Sequence, residues 1–206
     1  MANLKEIRNR ISSVSSTMQI TSAMKMVSAA KLKKAQDAIT AMRPYSNKLT
    51  ELLQSLSATL DADSGSKYSV QREVKNVLIV AITSNRGLAG AFNSNIIKEV
   101  NRLATETYAN QEVSYLAIGK KANDAFKKTN KVIANKSDLY DDLTFENVAE
   151  IAEMIMEKFV EGDYDKVELV YNSFKNAATQ IIMAEQFLPI VPIEGEDAHA
   201  NLDYIF

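Results

Sequence analysis

The sequence predicts an α/β protein: a mixed Rossmann-like sheet of about five strands, its last pair antiparallel, flanked by helices and preceded by a long N-terminal coiled-coil helix. Three features predict this class. A seven-residue apolar repeat runs through the first sixty residues, a β-branched run at Val74–Ile82 has the composition of a strand buried on both faces, and strands alternate with helices after it.

The repeat reads Leu4, Ile7, Ile11, Val14, Met18, Thr21, Lys25, Ser28, Leu32, Ala35, Ile39, Met42, Ser46, Leu49, Leu53, Leu56 and Leu60, and its register never slips. A heptad seam is apolar because it packs against another helix, and the sequence supplies no second heptad helix to meet it. At about 1.5 Å per residue such a helix extends roughly 85–90 Å, too long for a compact domain to enclose. Pro44 is its one break signal, where a kink or restart is expected within one bent helix. The polar stretch Asp61–Ser66 ends it. At Thr21, Lys25 and Ser28 the seam turns polar, while Ile20, Met24 and Val27 place apolar side chains one position earlier, so the contact surface rotates locally. Met18, Met24 and Met26 make that surface soft and adaptable. It suits a contact made and broken repeatedly, and equally suits packing filler.

After Val74–Ile82 the expected elements are a loop at Thr83–Gly90, a helix at Phe92–Tyr108, a strand at Val113–Ile118 and a short helix at Gly119–Lys128. A short strand at Lys131–Ala134, a loop at Asp138–Leu143 and a helix from the N-cap Thr144 to about Val160 come next. Strands at Lys166–Tyr171 and Ala178–Leu188 complete the set. Their connection, Asn172–Ala177, is too short for a crossover helix, so these two should pair antiparallel. The expected divisions are 1–60, a shaft helix; 61–73, a linker; 74–193, the α/β body; and 194–206, the start of a further connection.

Composition narrows the chemistry. Hydrophobic residues make up 46% and charged residues 24%, enough for an ordinary core. With no cysteine and one histidine, His199, thiolate sites and clustered imidazole chemistry are excluded. No apolar run is long enough to span a membrane, and the first residues lack the apolar core of a secretion signal, so a cytosolic compartment is the expectation. Residues 1–60 carry nine Lys and Arg against Glu6, Asp37 and Glu51, a balance of +6; with −2 overall, the remainder carries −8. A basic rod on an acidic body favours an acidic partner for the rod.

Several features invite a catalytic or binding reading. The loop Thr83–Ser94 lies between a buried strand and a helix, where nucleotide-binding folds cradle phosphate. Its Gly87 and Gly90 match neither phosphate-loop spacing, and only Arg86 is available to an anion, so tight-turn glycines with a capped helix are the preferred reading. Glu150, Glu153 and Glu157 share a helix face that reads as solvated, and Asp138, Asp141 and Asp142 lack calcium-loop spacing. His199 reads as a surface residue. Lys25, Lys31, Lys33 and Lys34 raise nucleic-acid or anionic-membrane binding, but the narrow apolar stripe fits a coiled coil better.

Several stretches resemble the gamma subunit family of rotary (F-type) ATP synthase: Leu4–Val14, Ile20–Leu32, Arg43-Pro-Tyr45, Thr83–Ser94, Tyr171–Lys175 with Gln180, and Leu202–Phe206. Two departures stand out. Ala89 occupies a position that is cysteine in the family's Arg-Gly-Leu-Cys-Gly loop, and family members continue into a long C-terminal helix that pairs with the N-terminal one. The resemblance therefore implies a chain cut short before that helix. It also implies a non-catalytic central-stalk rotor that couples ring rotation in the membrane to ATP synthesis in the catalytic head of a proton-translocating enzyme. Implied partners are the alpha and beta subunits of the head, the epsilon subunit and the membrane c ring, with no nucleic acid, no membrane span, no metal and no cofactor. Ile20, Met24, Lys25 and Met26 fall where the family's helix meets acidic levers of the beta subunits, and Tyr204 falls where the family touches the c ring. The implied location is peripheral to the inner (plasma) membrane of a bacterium, on its cytoplasmic side. The alternative is a nucleotide-binding regulatory α/β module with a coiled-coil arm.

Overall fold

The computed structural model describes residues 3–59, 67–129 and 131–191. By its contacts the chain divides into two compact units, Met1–Leu52 and Leu53–Phe206.

The first unit is helix. α1 spans Leu4–Thr59 without interruption, 56 residues or about 84 Å at the standard rise. Asn3 caps it, its side chain accepting from Lys5 N at 3.2 Å and its carbonyl from Glu6 N at 2.8 Å. Glu6 in the first turn complements the helix dipole. Lys33–Asp37 and Lys48–Glu51 pairs at 2.8 Å add a few tenths of a kcal/mol each at these exposed positions. The restart expected at Pro44 does not occur. Proline withholds one N–H from the carbonyl four residues before it, and that loss is tolerated inside a long exposed helix.

The second unit holds a five-stranded sheet in the order β3-β2-β1-β4-β5: β1 Asn76–Ile82, β2 Glu112–Ile118, β3 Val132–Asn135, β4 Lys166–Asn176 and β5 Thr179–Leu188. The first four are parallel and β4–β5 antiparallel, as the short connection requires. α2 (Phe92–Arg102), α3 (Lys120–Phe126) and α4 (Phe145–Glu161) make the crossovers.

β1 is the centre. Val77, Ile79 and Ala81 face one way, into a core closed by Ile96 and Val100 of α2 and Phe126 of α3. Leu78 and Val80 face the other way, against Ile151, Ile155 and Phe159 of α4. Their complete burial explains the unbroken apolar run, since neither face of this strand sees water. α4 is bounded as the sequence indicates: the Thr144 hydroxyl accepts from Asn147 N, and Gly162 closes the helix in the left-handed conformation at φ 87°.

Three differences from expectation have local causes. α2 ends at Arg102 and widens into a π turn over Leu103–Thr107, which delivers Tyr108 to the core. The Asp138–Leu143 loop begins as a 3-10 turn over Ser137–Tyr140. β4 does not stop at Tyr171 but continues to Asn176, so the turn is only Ala177–Ala178. Asn176 holds that turn, its side-chain oxygen accepting from the backbone N–H groups of Ala178 and Thr179.

Candidate functional site

Two regions were singled out by sequence: the middle of α1 and the β1–α2 loop. On α1 the structure places Ile20, Met24, Lys25 and Met26 as expected on a continuous helix, all exposed, with relative exposures of 61%, 63% and 68% for Ile20, Met24 and Met26. A helix advances about 100° per residue, so Ile20, Met24 and Val27 form one face, roughly 120° round from the heptad seam through Val14, Met18 and Leu32. The seam residues are themselves exposed. Met26 points to neither face. This stretch therefore presents exposed large apolar side chains outside the seam as well as along it, interleaved with polar ones. Lys25 stands within the seam and supplies the positive charge.

The loop after β1 sits at the topological switch point, where β2 and β4 flank β1 and open α/β sheets bind ligands beyond the strand ends. Here the chain itself fills the place. Thr83, buried at 1% exposure, accepts from Ala122 N of α3 at 2.8 Å through its hydroxyl. Asn85 accepts from Lys120 N at 2.9 Å and donates to the Ser137 carbonyl at 2.7 Å. Asn93 folds back from α2, accepting from Ser84 N at 2.9 Å and donating to the Arg86 carbonyl. The strand that should end the crevice, β4, runs on past it, and Asn172 donates to the Phe92 carbonyl at 3.0 Å. The N–H of Ser84 and the side-chain amides of Asn85 and Asn93 are spent on protein oxygens, which supports the tight-turn reading of Gly87 and Gly90.

Gly119 shows why the close approach needs glycine: it lies at φ 109°, and a Cβ there would come within 2.1 Å of the Thr83 carbonyl oxygen. Leu88 went unnoticed in sequence. It holds φ 58° with its side chain fully exposed between Gly87 and Gly90. A non-glycine residue rarely adopts this left-handed conformation, and here the side chain gains no burial from it. Its sequence signals are its place between two glycines and within the loop that resembles the family's Arg-Gly-Leu-Cys-Gly.

The remaining candidates separate. Glu150, Glu153 and Glu157 are exposed on α4, and Asp138, Asp141 and Asp142 are exposed in the preceding turn. Among the described residues no group of three or more potential ligands is arranged to hold a metal. His199 and Tyr204 lie outside the described residues. No described helix is long and apolar enough to cross a membrane.

A long helix with exposed apolar side chains and an α/β body whose switch-point loop is bonded to its own chain fit a structural subunit of a larger assembly. The sequence pattern of the ATP synthase family matches residues 3–206. An ATP synthase gamma chain from Flavobacterium psychrophilum is 67% identical over 206 residues, all of this chain and 72% of that protein, and one from Flavobacterium johnsoniae has the same figures. One from Cytophaga hutchinsonii is 46% identical, again with all of this chain and 72% of the relative covered. Among solved structures, the central stalk and c ring of the Tetrahymena thermophila mitochondrial ATP synthase matches with TM-score 0.59 and 28% identity, covering 82% of this chain and 72% of that one. The rotor of the Euglena gracilis enzyme matches with TM-score 0.58 and 25% identity, over 93% of this chain and 63% of that one. The chain belongs to the ATP synthase gamma chain family, whose members are stalk subunits and not catalytic ones.

Proposed function

We propose that this chain turns inside the catalytic head of ATP synthase and couples rotation of the membrane ring to ATP synthesis. The observation that carries this reading is the middle of α1, where exposed Ile20, Met24, Met26 and Val27 add apolar contact surface outside the seam. One covering helix accounts for the seam alone. The other faces require further neighbours, and the alpha and beta subunits of the head supply them. Met24 and Met26 give a surface low in hydrogen-bonding demand that can slide between successive partners, while Lys25 meets the acidic levers of the beta subunits. The α/β body joins the epsilon subunit and the c ring, with Tyr204 at the ring contact. In this reading the protein is a peripheral part of the complex at the cytoplasmic face of the inner membrane. The chain holds no catalytic group in this reading; force is its product.

The test is Met24→Lys in the full-length chain within the assembled, membrane-bound enzyme. A second positive charge beside Lys25 leaves the exposed helix foldable, so assembly stays near normal. ATP-driven proton pumping falls roughly two- to tenfold, the range expected when a coupling contact is disturbed. Pumping at the unaltered rate would remove the lever contact from this stretch of α1.

A further inference from the structure

One group of hydrogen bonds between distant parts of the second unit lies at one corner of the body, around residues 67–76, which lead into β1, and residues 188–191, which lead out of β5. Arg72 Nη1 donates to the Phe159 carbonyl in the last turn of α4 at 2.9 Å, and its guanidinium lies 4.8 Å from the centre of the Phe159 ring. A cation there also meets the negative end of the α4 dipole. Asp165, in the turn between α4 and β4, accepts from Lys75 N and Asn76 N through the same oxygen, each at 2.9 Å. Its own N–H donates to the Asn76 carbonyl at 2.9 Å. The outgoing segment is then tied to the incoming one, Ile190 N donating to the Tyr68 carbonyl at 2.9 Å. Tyr68 and Ile190 both pack on the α4 side of the core.

This arrangement exceeds what burial requires. Residues 67–76 include no fully buried side chain. Apolar contact is non-directional and lets a segment slide, whereas hydrogen bonds and a cation stacked on a ring resist displacement along fixed directions. Both ends of the body are thus held by directional contacts at one place, and they converge on α4 and the turn after it.

We propose that this corner is a clamp through which turning force passes between the α/β body and the chain segments entering and leaving it, with Arg72 and Asp165 as its positioning residues. The inference rests on the rotor reading above. Its test uses the full-length chain in the assembled, membrane-bound enzyme, with Arg72→Ala, the double variant Arg72→Ala with Asp165→Ala, and Arg72→Lys. The readouts are the amount of assembled enzyme, ATP hydrolysis per assembled enzyme, protons pumped per ATP, and amide exchange across 67–76. Hydrolysis per enzyme is expected to hold. Pumping per ATP should drop about twofold or more in Arg72→Ala and further in the double variant. Arg72→Lys keeps the charge but not the flat stack, and should retain an intermediate ratio. A merely structural role lowers the amount of enzyme and leaves the ratio unmoved. A wild-type ratio in the double variant, with faster exchange in 67–76, overturns the clamp alone. Should the alanine variants not assemble, a wild-type ratio in Arg72→Lys overturns it instead. Absence of pumping with the unaltered chain would overturn the rotor reading and the clamp with it.

Discussion

Glu168 is the one buried carboxylate among the described residues, at 7% exposure on β4. It stays there because Tyr108 Oη donates to it at 2.6 Å and Lys166 pairs with it at 3.0 Å. Burial, then the bond to Glu168, raises the Tyr108 hydroxyl above its ordinary value of 10. Burial alone would lower the Lys166 ammonium, but the Tyr108 and Glu168 oxygens outweigh it and hold it above its ordinary 10.5. Both folded values are raised, so their contribution to stability is fully present below about pH 10 and is lost as the pH climbs through the raised values. Urea denaturation followed from pH 8 upward should show stability falling in that alkaline range. Tyr108→Phe leaves the carboxylate short of a partner and should cost about 1–3 kcal/mol at neutral pH. An unchanged urea midpoint would refute the role assigned to the hydroxyl. Gly119→Ala is more severe, because the added Cβ meets the backbone of Thr83 and the positive φ disfavours any side chain. A loss of about 3 kcal/mol or more is expected by the same measurement. Neither effect was legible in sequence: Glu168 reads as one polar residue in a strand, and Gly119 as a helix start.

At the scale of elements, legibility followed burial. β1 announced itself because both of its faces are core, and α4 because Ile151, Ile155 and Phe159 recur every four residues between a capping threonine and a closing glycine. The far half of β4 was hidden because Asn172, Ser173, Lys175 and Asn176 extend past the core, where strand and loop have the same polar composition. Ladder hydrogen bonds to β5 hold it, and these leave no mark in hydropathy. The candidate site divides the same way. Helical periodicity exposed the rotated face of Ile20, Met24 and Val27, whereas Leu88 depends on a backbone angle that no periodicity records. α1 supplies this scale's prediction. Pro44 is exposed mid-helix and withholds one N–H, so Pro44→Ala restores a backbone bond in the middle of the longest element. The helix should gain about 3 kcal/mol locally, seen as slower amide exchange on either side of position 44. Equal exchange in both proteins would mean that the proline already costs nothing there.

For the molecule as a whole, two forces act on the first sixty residues: an apolar seam and a balance of +6 against a remainder at −8. They predict different behaviour of the 206-residue chain in solution. Ile11, Val14, Met18, Leu32, Leu49 and Leu53 are all exposed along the seam, in two apolar stretches separated by Thr21, Lys25 and Ser28. Seam-to-seam pairing of two chains would bury that surface and bring like charges together. Rod-to-body pairing would match opposite charges and leave the seam wet. Salt separates the two, because it screens charge over about 8–10 Å at moderate ionic strength and does not weaken apolar burial. Equilibrium sedimentation is expected to show self-association that persists or strengthens as salt rises, with Ile11→Glu combined with Leu32→Glu returning the chain to monomer. A mass that falls with salt would assign the contact to the charges. A fully helical, strictly monomeric chain at all salt concentrations would show that the seam needs no cover, and the case for α1 as a helix built to be surrounded would fall with it.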